Sequence, residues 1–296
     1  MDTLFVKGEC TMKKHFNKRI AGGLAIALAV TGSLSLLTPP LNSDSPKNIS
    51  LFSDNSSLSI TAQASTPVQL TEDDLAVSGG TVTGFTASGS AMIANITTPG
   101  GILLEFPSTL TASKIGANAF KGKFKDREVS IKLPDSITYI GDGAFSENTK
   151  LTSIEFGNNL QTIGKNAFRK DSALASLDLK TTVQTLGDAA FAYTGITGEL
   201  TIPNSVTSMG GACFCEVRGL TKVTFPASLA KIPQYAFYGD ENLTEIVFNE
   251  GLKSIGSRAF QNCSIATNFN LPNSLEVLGQ ECFDNNKIPP LHFLII

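Results

Sequence analysis

The chain has 296 residues, with 23 basic and 26 acidic side chains and a net charge of −3. Residues 1–37 hold five basic and two acidic side chains, so the remainder carries 18 against 24, a net charge of −6. Nucleic-acid-binding proteins present a basic face, so this balance argues against a nucleic-acid partner. The absence of Trp argues against sugar recognition by stacking on aromatic rings.

The amino terminus predicts an export signal. A basic segment over residues 13–19 precedes an apolar run, rich in Ala, Gly and Leu, from Ile20 to Leu37. This order is typical of a secretory signal peptide over residues 1–37, for which Met12 is an alternative start. The competing interpretation is a membrane anchor, because about 18 apolar residues just span a bilayer. Contact with a membrane would then involve only this segment, and its cleavage site stays open.

The next two segments differ in composition. Residues 38–66 are rich in Ser, Pro, Asn and Asp, which is typical of a flexible spacer that cannot bury a core. Residues 67–119 contain β-prone runs divided by Gly and Pro, at Thr81–Phe85, Ala91–Ile96 and Ile102–Pro107. Because a repeat array needs its first open face covered, residues 67–119 are predicted to form an N-terminal β cap grading into the first repeat.

A Phe then recurs at a nearly fixed interval. The first gap is 25 residues and the next six are 23 each, in the series Phe120, Phe145, Phe168, Phe191, Phe214, Phe237, Phe260 and Phe283. Apolar residues stand twelve and fourteen positions before each Phe from Phe145 on, alternate positions that share one face of a strand. Such a period predicts a mostly β fold over residues 120–287, a solenoid of 23-residue repeats with parallel strands and short turns.

Gly stands four positions before the Phe in every unit except that of Pro233. A Gly column indicates either a positive φ or a place with no room for a Cβ atom. After the last Phe, residues 288–296 are predicted to be a truncated apolar tail.

These units resemble a known family. Leu151–Phe168 and Leu243–Cys263 follow the pattern L-x-x-I-x-L-P-x-x-L-x-x-I-G-x-x-A-F-x-x-C, which is similar to the BspA-type leucine-rich repeat over about residues 102–286. Members are typically exported or cell-surface proteins of bacteria that act in adhesion and protein binding. The resemblance implies a leucine-rich-repeat solenoid and a host, microbial or matrix surface protein as partner.

The five cysteines do not predict a metal site. Cys10 falls in the signal, whereas Cys213, Cys215, Cys263 and Cys282 are predicted to be reduced core or turn thiols, with a single disulfide as the alternative. No C-x-x-C spacing occurs and only His292 lies outside the signal region, which argues against zinc. No cofactor is predicted.

The sequence likewise predicts no enzyme, because no His lies inside the array to build a catalytic triad. Glu155 and Asp178 occupy equivalent positions in adjacent units, on strands expected to lie about 4.8 Å apart. Two interpretations are open. In the first, the two carboxylates form an acid pair or a cation site. In the second, they are solvated residues on an exposed face. The second interpretation is favoured because no third ligand is implied.

Residues thirteen and fifteen positions before each Phe alternate away from the core and form a polar strip. This strip is the candidate binding face: Ser130, Lys132, Ser153, Glu155, Ser176, Asp178, Glu199, Thr201, Lys222, Thr224, Glu245, Val247, Asn268 and Asn270. The predicted function is protein binding or adhesion at the cell surface by an exported bacterial protein. The alternative is a non-binding structural stalk or a truncated remnant of a larger surface protein.

Overall fold

The computed structural model describes residues 18–20, 24–26, 66–96, 100–266 and 270–288. The chain divides into two compact units, Met1–Thr66 and Pro67–Ile296. In the first unit, strands β1 (Lys18–Ile20) and β2 (Leu24–Ile26) pair antiparallel. The remainder of the predicted signal peptide with Cys10, the rest of the spacer before Thr66 and the predicted tail beyond Ile288 lie outside the described residues. No helix in the described ranges is long and apolar enough to cross a membrane.

The array begins with a hairpin. β4 (Leu75–Ser78) and β5 (Thr81–Phe85) pair antiparallel around Gly79 and Gly80, whose φ angles of +54° and +70° suit a two-residue hairpin turn. β5 pairs on its other side, in parallel, with β7 (Lys114–Ile115), so the hairpin covers the first short strand of the repeats. The elements of this region are β3 (Thr66–Gln69), a 3₁₀ helix (Glu72–Asp74), β4 (Leu75–Ser78), β5 (Thr81–Phe85), α1 (Ala87–Ala94), β6 (Ile102–Glu105) and β7 (Lys114–Ile115).

Helix α1 corrects the prediction of a β-prone run at Ala91–Ile96, which was wrong for its first four residues. The helix begins after Thr86, whose Oγ1 accepts a hydrogen bond from the main-chain nitrogen of Gly89 at 3.2 Å. Thr is a favourable N-cap, and Ala and Met have high helix propensity. This local start signal outweighs the apolar run that suggested a strand.

A typical repeat forms one turn of a solenoid from a long strand, a short strand and a turn that carries the Phe. The long strands are β8 (Val129–Lys132), β10 (Leu151–Glu155), β13 (Thr197–Thr201), β15 (Gly219–Thr224) and β17 (Glu245–Val247). The short strands after β7 are β9 (Tyr139–Ile140), β11 (Thr162–Ile163), β12 (Thr185–Leu186), β14 (Ser208–Met209), β16 (Lys231–Ile232), β18 (Ser254–Ile255) and β19 (Val277–Leu278).

Equivalent strands of successive turns pair in parallel. Ile154 lies opposite Ile131 on the long-strand side, and Ile163 opposite Ile140 on the short-strand side. The sheet orders are β10-β8-β6-β3 and β13-β15-β17 for long strands, and β14-β12-β11-β9-β7-β5-β4 and β16-β18-β19 for short ones. The predicted parallel solenoid is confirmed.

The Phe column fills the centre of the array. The rings of Phe145, Phe168 and Phe191 stack with centroids 5.3 Å apart and interplanar angles of 4° and 3°. The stack continues to Phe283, 5.4 Å from Phe260. All rings of the column from Phe120 to Phe260 are fully buried, whereas that of Phe283 in the last turn is half-buried. The spacing is close to the strand separation of about 4.8 Å, so each ring contacts its equivalents in neighbouring turns.

The Gly column is explained by lack of room. A Cβ atom on Gly187 would lie 2.5 Å from the carbonyl carbon of Gly164, and one on Gly141 would lie 2.7 Å from the main-chain nitrogen of Ala117. Positive φ angles occur instead two positions before and after the Phe, as in Asn166 (+53°) and Lys170 (+67°). Main chains of successive turns therefore approach one another too closely at these positions to admit a Cβ atom.

Among fully described repeats, the long strand predicted at 175–180 does not form. Residues 175–180 are irregular, and their pairing is limited to Ala175, which bonds Thr152 through its nitrogen at 3.4 Å and Thr197 through its oxygen at 3.1 Å. The segment Ser-Leu-Asp-Leu at 176–179 has no β-branched residue, whereas every long strand that forms contains Val, Ile or Thr. β-Branched residues favour strands and Asp disfavours them. Ser176 and Asp178 of the predicted strip therefore lie outside any strand, although neither is buried.

Candidate binding face

Ten of the fourteen predicted face residues lie in long strands, and none of the ten is buried. Their alternating partners, such as Ile131, Val223 and Ile246, are buried in the core. Asn270 is exposed outside any strand, and Asn268 lies outside the described residues. The irregular segment 175–180 divides the ten into two groups. The amino-terminal block is Ser130, Lys132, Ser153 and Glu155; the carboxyl-terminal block is Glu199, Thr201, Lys222, Thr224, Glu245 and Val247.

The amino-terminal block is held by short polar contacts. The hydroxyl of Ser153 donates to that of Ser130 at 2.9 Å, and the Ser130 hydroxyl lies 3.1 Å from that of Thr152. Lys132 forms an ion pair with Glu105 of β6 at 3.5 Å. These side chains are therefore bonded mainly to one another along the direction of stacking.

The carboxyl-terminal block consists of two parallel rows. One row carries alternating charge, because Glu199, Lys222 and Glu245 lie opposite one another on β13, β15 and β17. Lys222 donates to Glu245 across 2.7 Å, and this hydrogen bond, with the negative charges of Glu245 and Glu199, raises the pKa of Lys222. The other row is uncharged and β-branched: Thr201, Thr224 and Val247.

Glu155 and Asp178 do not form a visible acid pair. Glu155 lies opposite Lys132 in the sheet, and Asp178 accepts a hydrogen bond from Lys180 at 3.0 Å. Both carboxylates are exposed. Within the described ranges, no group of three or more His, Cys, Asp or Glu side chains is placed to hold a metal ion. The geometry supports the interpretation of both as solvated surface residues.

The four cysteines predicted to be reduced core or turn thiols, Cys213, Cys215, Cys263 and Cys282, are buried free thiols in the structure. Burial raises the pKa of Cys215 to about 12 and that of Cys213 still further. A thiol, unlike a thiolate, is a poor nucleophile and metal ligand. These cysteines therefore behave as small core residues.

The sequence reasoning missed a second interior column, three residues after each Phe from Phe145 on. Most of its members are polar and buried, and each repeats the position of the one before. We call it the polar column: Asn148, Asp171, Thr194, Val217, Asp240, Cys263 and Asn286. The same 23-residue period that identifies the Phe column would have identified this one. It went unrecognised because the residue type changes from turn to turn.

Comparison with known proteins identifies the family. The model of the BspA type leucine rich repeat region matches residues 103–217 and 196–293, with six copies. The chain therefore belongs to the BspA-type leucine-rich repeat family, as the sequence pattern predicted. A search of curated proteins finds no match.

Two solved structures share the fold. A leucine-rich repeat protein from T. pallidum is 24% identical with a TM-score of 0.54, over 66% of this chain and 89% of that one. One from Bacteroides ovatus is also 24% identical, with a TM-score of 0.50, over 69% of this chain and 58% of that one. At this identity the likeness shows the fold alone.

Proposed function

We propose that this chain is an exported bacterial leucine-rich-repeat protein that binds another protein through its long-strand face and catalyses no reaction. The observation that carries the proposal is the pairing, in the carboxyl-terminal block, of a row of alternating charge with an uncharged β-branched row. Charges give an interface orientation and register, while apolar and hydroxyl groups contribute contact area. A partner surface with its own charged and apolar rows would fit this block.

Rigidity supports the proposal. The strands of the block rest on buried Leu200, Val223 and Ile246, and behind these lies the Phe stack. A surface held in this way loses little conformational entropy on binding. The scaffold therefore favours recognition by a pre-formed face.

The size of the block indicates how far the contact extends. Three strands at about 4.8 Å spacing span only about 10 Å. A specific protein interface buries about 800 Å² on each partner. The partner therefore contacts side chains beyond the carboxyl-terminal block, and the amino-terminal block on the same side of the array is the natural extension.

Export is the second part of the proposal. Its support is the basic segment followed by the apolar run Ile20 to Leu37, together with the family's typical location. Fractionation of producing cells, with mass spectrometry of the mature amino terminus, tests it. A protein found only in the cytosol with its first 37 residues intact would contradict export without bearing on the binding face.

A matched pair of variants tests the binding face. Thr201 is exposed in β13, and Thr207 is exposed just before short strand β14 on another side of the same turn. The purified protein is screened against extracellular matrix proteins and bacterial surface proteins for saturable binding. With a partner in hand, Thr201→Arg is expected to weaken binding at least tenfold, whereas Thr207→Arg leaves it unchanged.

Two outcomes would overturn the binding proposal. The absence of saturable binding in both panels would remove its premise and favour a structural stalk. Loss of binding in Thr207→Arg but not in Thr201→Arg would move the site to the short-strand side. Circular dichroism of both variants shows whether either change acts through unfolding.

A further inference from the structure

The polar column bonds the main chain of the Phe turns in a repeated way. Asn148 accepts a hydrogen bond from the nitrogen of Phe124 at 2.8 Å and donates from Nδ2 to the carbonyls of Phe120 and Phe145. Asn286 does the same near the other end, where Nδ2 donates to Phe260 at 2.7 Å and to Phe283 at 2.9 Å. Each amide thus donates to the Phe carbonyl of its own turn and to that of the turn before.

Thr194 and Cys263, two further polar members of the column, also donate to Phe carbonyls. The Thr194 hydroxyl donates to the carbonyl of Phe191 at 2.8 Å, and the Cys263 thiol donates to that of Phe237 at 3.1 Å. The Phe carbonyls therefore form a row of acceptors that faces the polar column.

Asp171 and Asp240 break this pattern if they are carboxylates. Both side chains are fully buried. Oδ1 of Asp171 accepts from the nitrogen of Asn148 at 2.8 Å, and Oδ1 of Asp240 accepts from that of Val217 at 2.8 Å, as in the Asn residues. Oδ2 of each, in the place of the amide nitrogen, is buried and has no hydrogen-bond partner. An ionised oxygen that faces carbonyls would be both desolvated and repelled.

The surrounding charges add to this repulsion. The charged group that acts on Asp171 is Glu147 of the turn before, and the one that acts on Asp240 is Glu216. Asp240 also lies near the thiols of Cys215 and Cys263, which are themselves buried. No cation that would stabilise either carboxylate contributes among the described residues.

We propose that Asp171 and Asp240 are protonated in the folded protein and donate from Oδ2 to the carbonyls of the Phe turns, so that rising pH destabilises the array. In its neutral form each Asp then makes the same pattern of hydrogen bonds as an Asn of the column, accepting through Oδ1 and donating through Oδ2. The carbonyls it reaches are those of Phe168 or Phe145 for Asp171, and of Phe237 or Phe214 for Asp240. Loss of either proton leaves a buried charge between two turns.

The direction of the pH effect follows from linkage. Burial raises the pKa of Asp171 to about 9 and that of Asp240 well above its ordinary value. In the unfolded chain both carboxyls have a pKa of about 3.9. Between these limits the folded protein holds protons that the unfolded chain releases, so the contribution of these two groups to stability is fully present in acid and falls as pH rises from about 4 to about 9.

The test measures how many protons the protein releases on unfolding. Calorimetric unfolding of the full chain at about pH 6.5, in buffers of different ionisation enthalpy, is expected to release two more protons from the wild type than from the Asp171→Asn/Asp240→Asn double variant. The double variant is also expected to melt at a higher temperature than the wild type at about pH 8, with a gap that closes towards about pH 4. Exposed Asp126→Asn is the matched control and behaves as wild type.

An independent measurement guards against a purely structural effect. Infrared spectra at neutral pH should show the carbonyl stretch of protonated carboxylic acids in the wild type, and the double variant should lack it. The reverse change, Asn148→Asp, should add a third proton to the count. Equal proton release in wild type and double variant, no such infrared band, or a lower melting temperature of the double variant at about pH 8 would each overturn the proposal.

Discussion

The Phe column and the polar column run side by side through the interior of the array, but they differ in composition. Every turn contributes Phe to the first, whereas the second contains Asn, Asp, Thr, Val and Cys. The rings contact each other along the stack at 5.3–5.4 Å, so each must match the shape of its neighbours. The polar members of the second column bond the main chain instead, and Asn, Thr and Cys side chains donate to the same row of carbonyls.

The difference between the two columns shows what a buried position requires of its side chain. A position defined by packing repeats one residue type, because a change of volume is felt in the turns above and below. A position defined by hydrogen bonds repeats a chemical role, and residue types that supply that role replace one another. Four predictions test this contrast and its limits, starting with the largest expected effect.

Phe191→Ala removes a ring from the middle of the stack. Phe191 is fully buried between Phe168 and Phe214, each 5.3 Å away. The free energy of unfolding should fall by about 3–5 kcal/mol, as for other large-to-small core changes. Urea denaturation measures it, with Phe283→Ala at the half-buried end as the control. Equal losses at the two positions would contradict a stack whose contribution depends on neighbours on both sides.

Asn148→Val tests the hydrogen-bonding column. The change places at this position the residue type that Val217 supplies elsewhere, but it leaves the nitrogen of Phe124 without its 2.8 Å acceptor and the carbonyl of Phe145 without its Nδ2 donor. The carbonyl of Phe120 also loses its Nδ2 donor but keeps the main-chain nitrogen of Lys123 at 3.3 Å. Since an unpaired buried group costs about 1–3 kcal/mol, we expect a loss of about 3 kcal/mol in urea unfolding. A loss below about 1 kcal/mol would mean that the column is defined by volume, like the Phe column.

Both columns depend on the close approach of successive turns, which adjacent glycines test directly. A Cβ on Gly210 would lie 2.5 Å from the carbonyl carbon of Gly187, whereas on Gly211 its nearest neighbour would be 3.5 Å away. Gly210→Ala should cost about 1–3 kcal/mol by overpacking. Gly211→Ala should change stability by about 0.5 kcal/mol or less. Thermal unfolding of the two variants measures both, and similar melting temperatures would count against the steric explanation.

Lys222→Ala extends the contrast from the interior to the surface. It removes the 2.7 Å ion pair with Glu245, whose side chain is 56% exposed. Exposed ion pairs contribute about 0–1 kcal/mol and are screened by salt, so the loss should stay below about 1 kcal/mol and shrink at high salt. The free energy of unfolding of wild type and variant, measured at low and at high salt, tests this prediction. A larger, salt-independent loss would show that the lysine stem packs as part of the core.

The repeat made much of this fold predictable. The interval between Phe residues indicated equivalent turns, and the apolar residues twelve and fourteen positions before each Phe indicated strands with a buried face. These inferences hold for β8, β10, β13, β15 and β17. They fail at 175–180, where a correct apolar period coincides with low strand propensity. Period identifies the buried face, but whether a strand forms also depends on its residues.

Helix α1 escaped prediction for a different reason. It lies in a region with no repeat, where Ala91–Ile96 is equally compatible with strand and helix by pattern. The N-cap bond from Gly89 to Thr86 resolves the choice, and it joins two residues three positions apart rather than following a period. The candidate binding face was predictable in part. Alternation along the strands identified the outward residues, but their division into two blocks appeared only with the structure.

The sequence by itself determined that successive 23-residue units are equivalent and that one Phe in each points inward, because a strict period has no other physical explanation in a chain of this composition. Tertiary structure decided which polar groups are enclosed. Asp171 and Asp240 look like ordinary acidic residues in the sequence, yet each lies beneath the main chain of the preceding turn, bonded to its nitrogen at 2.8 Å. Their burial follows from the close stacking of neighbouring turns, and the distance between turns cannot be inferred from the sequence of one repeat.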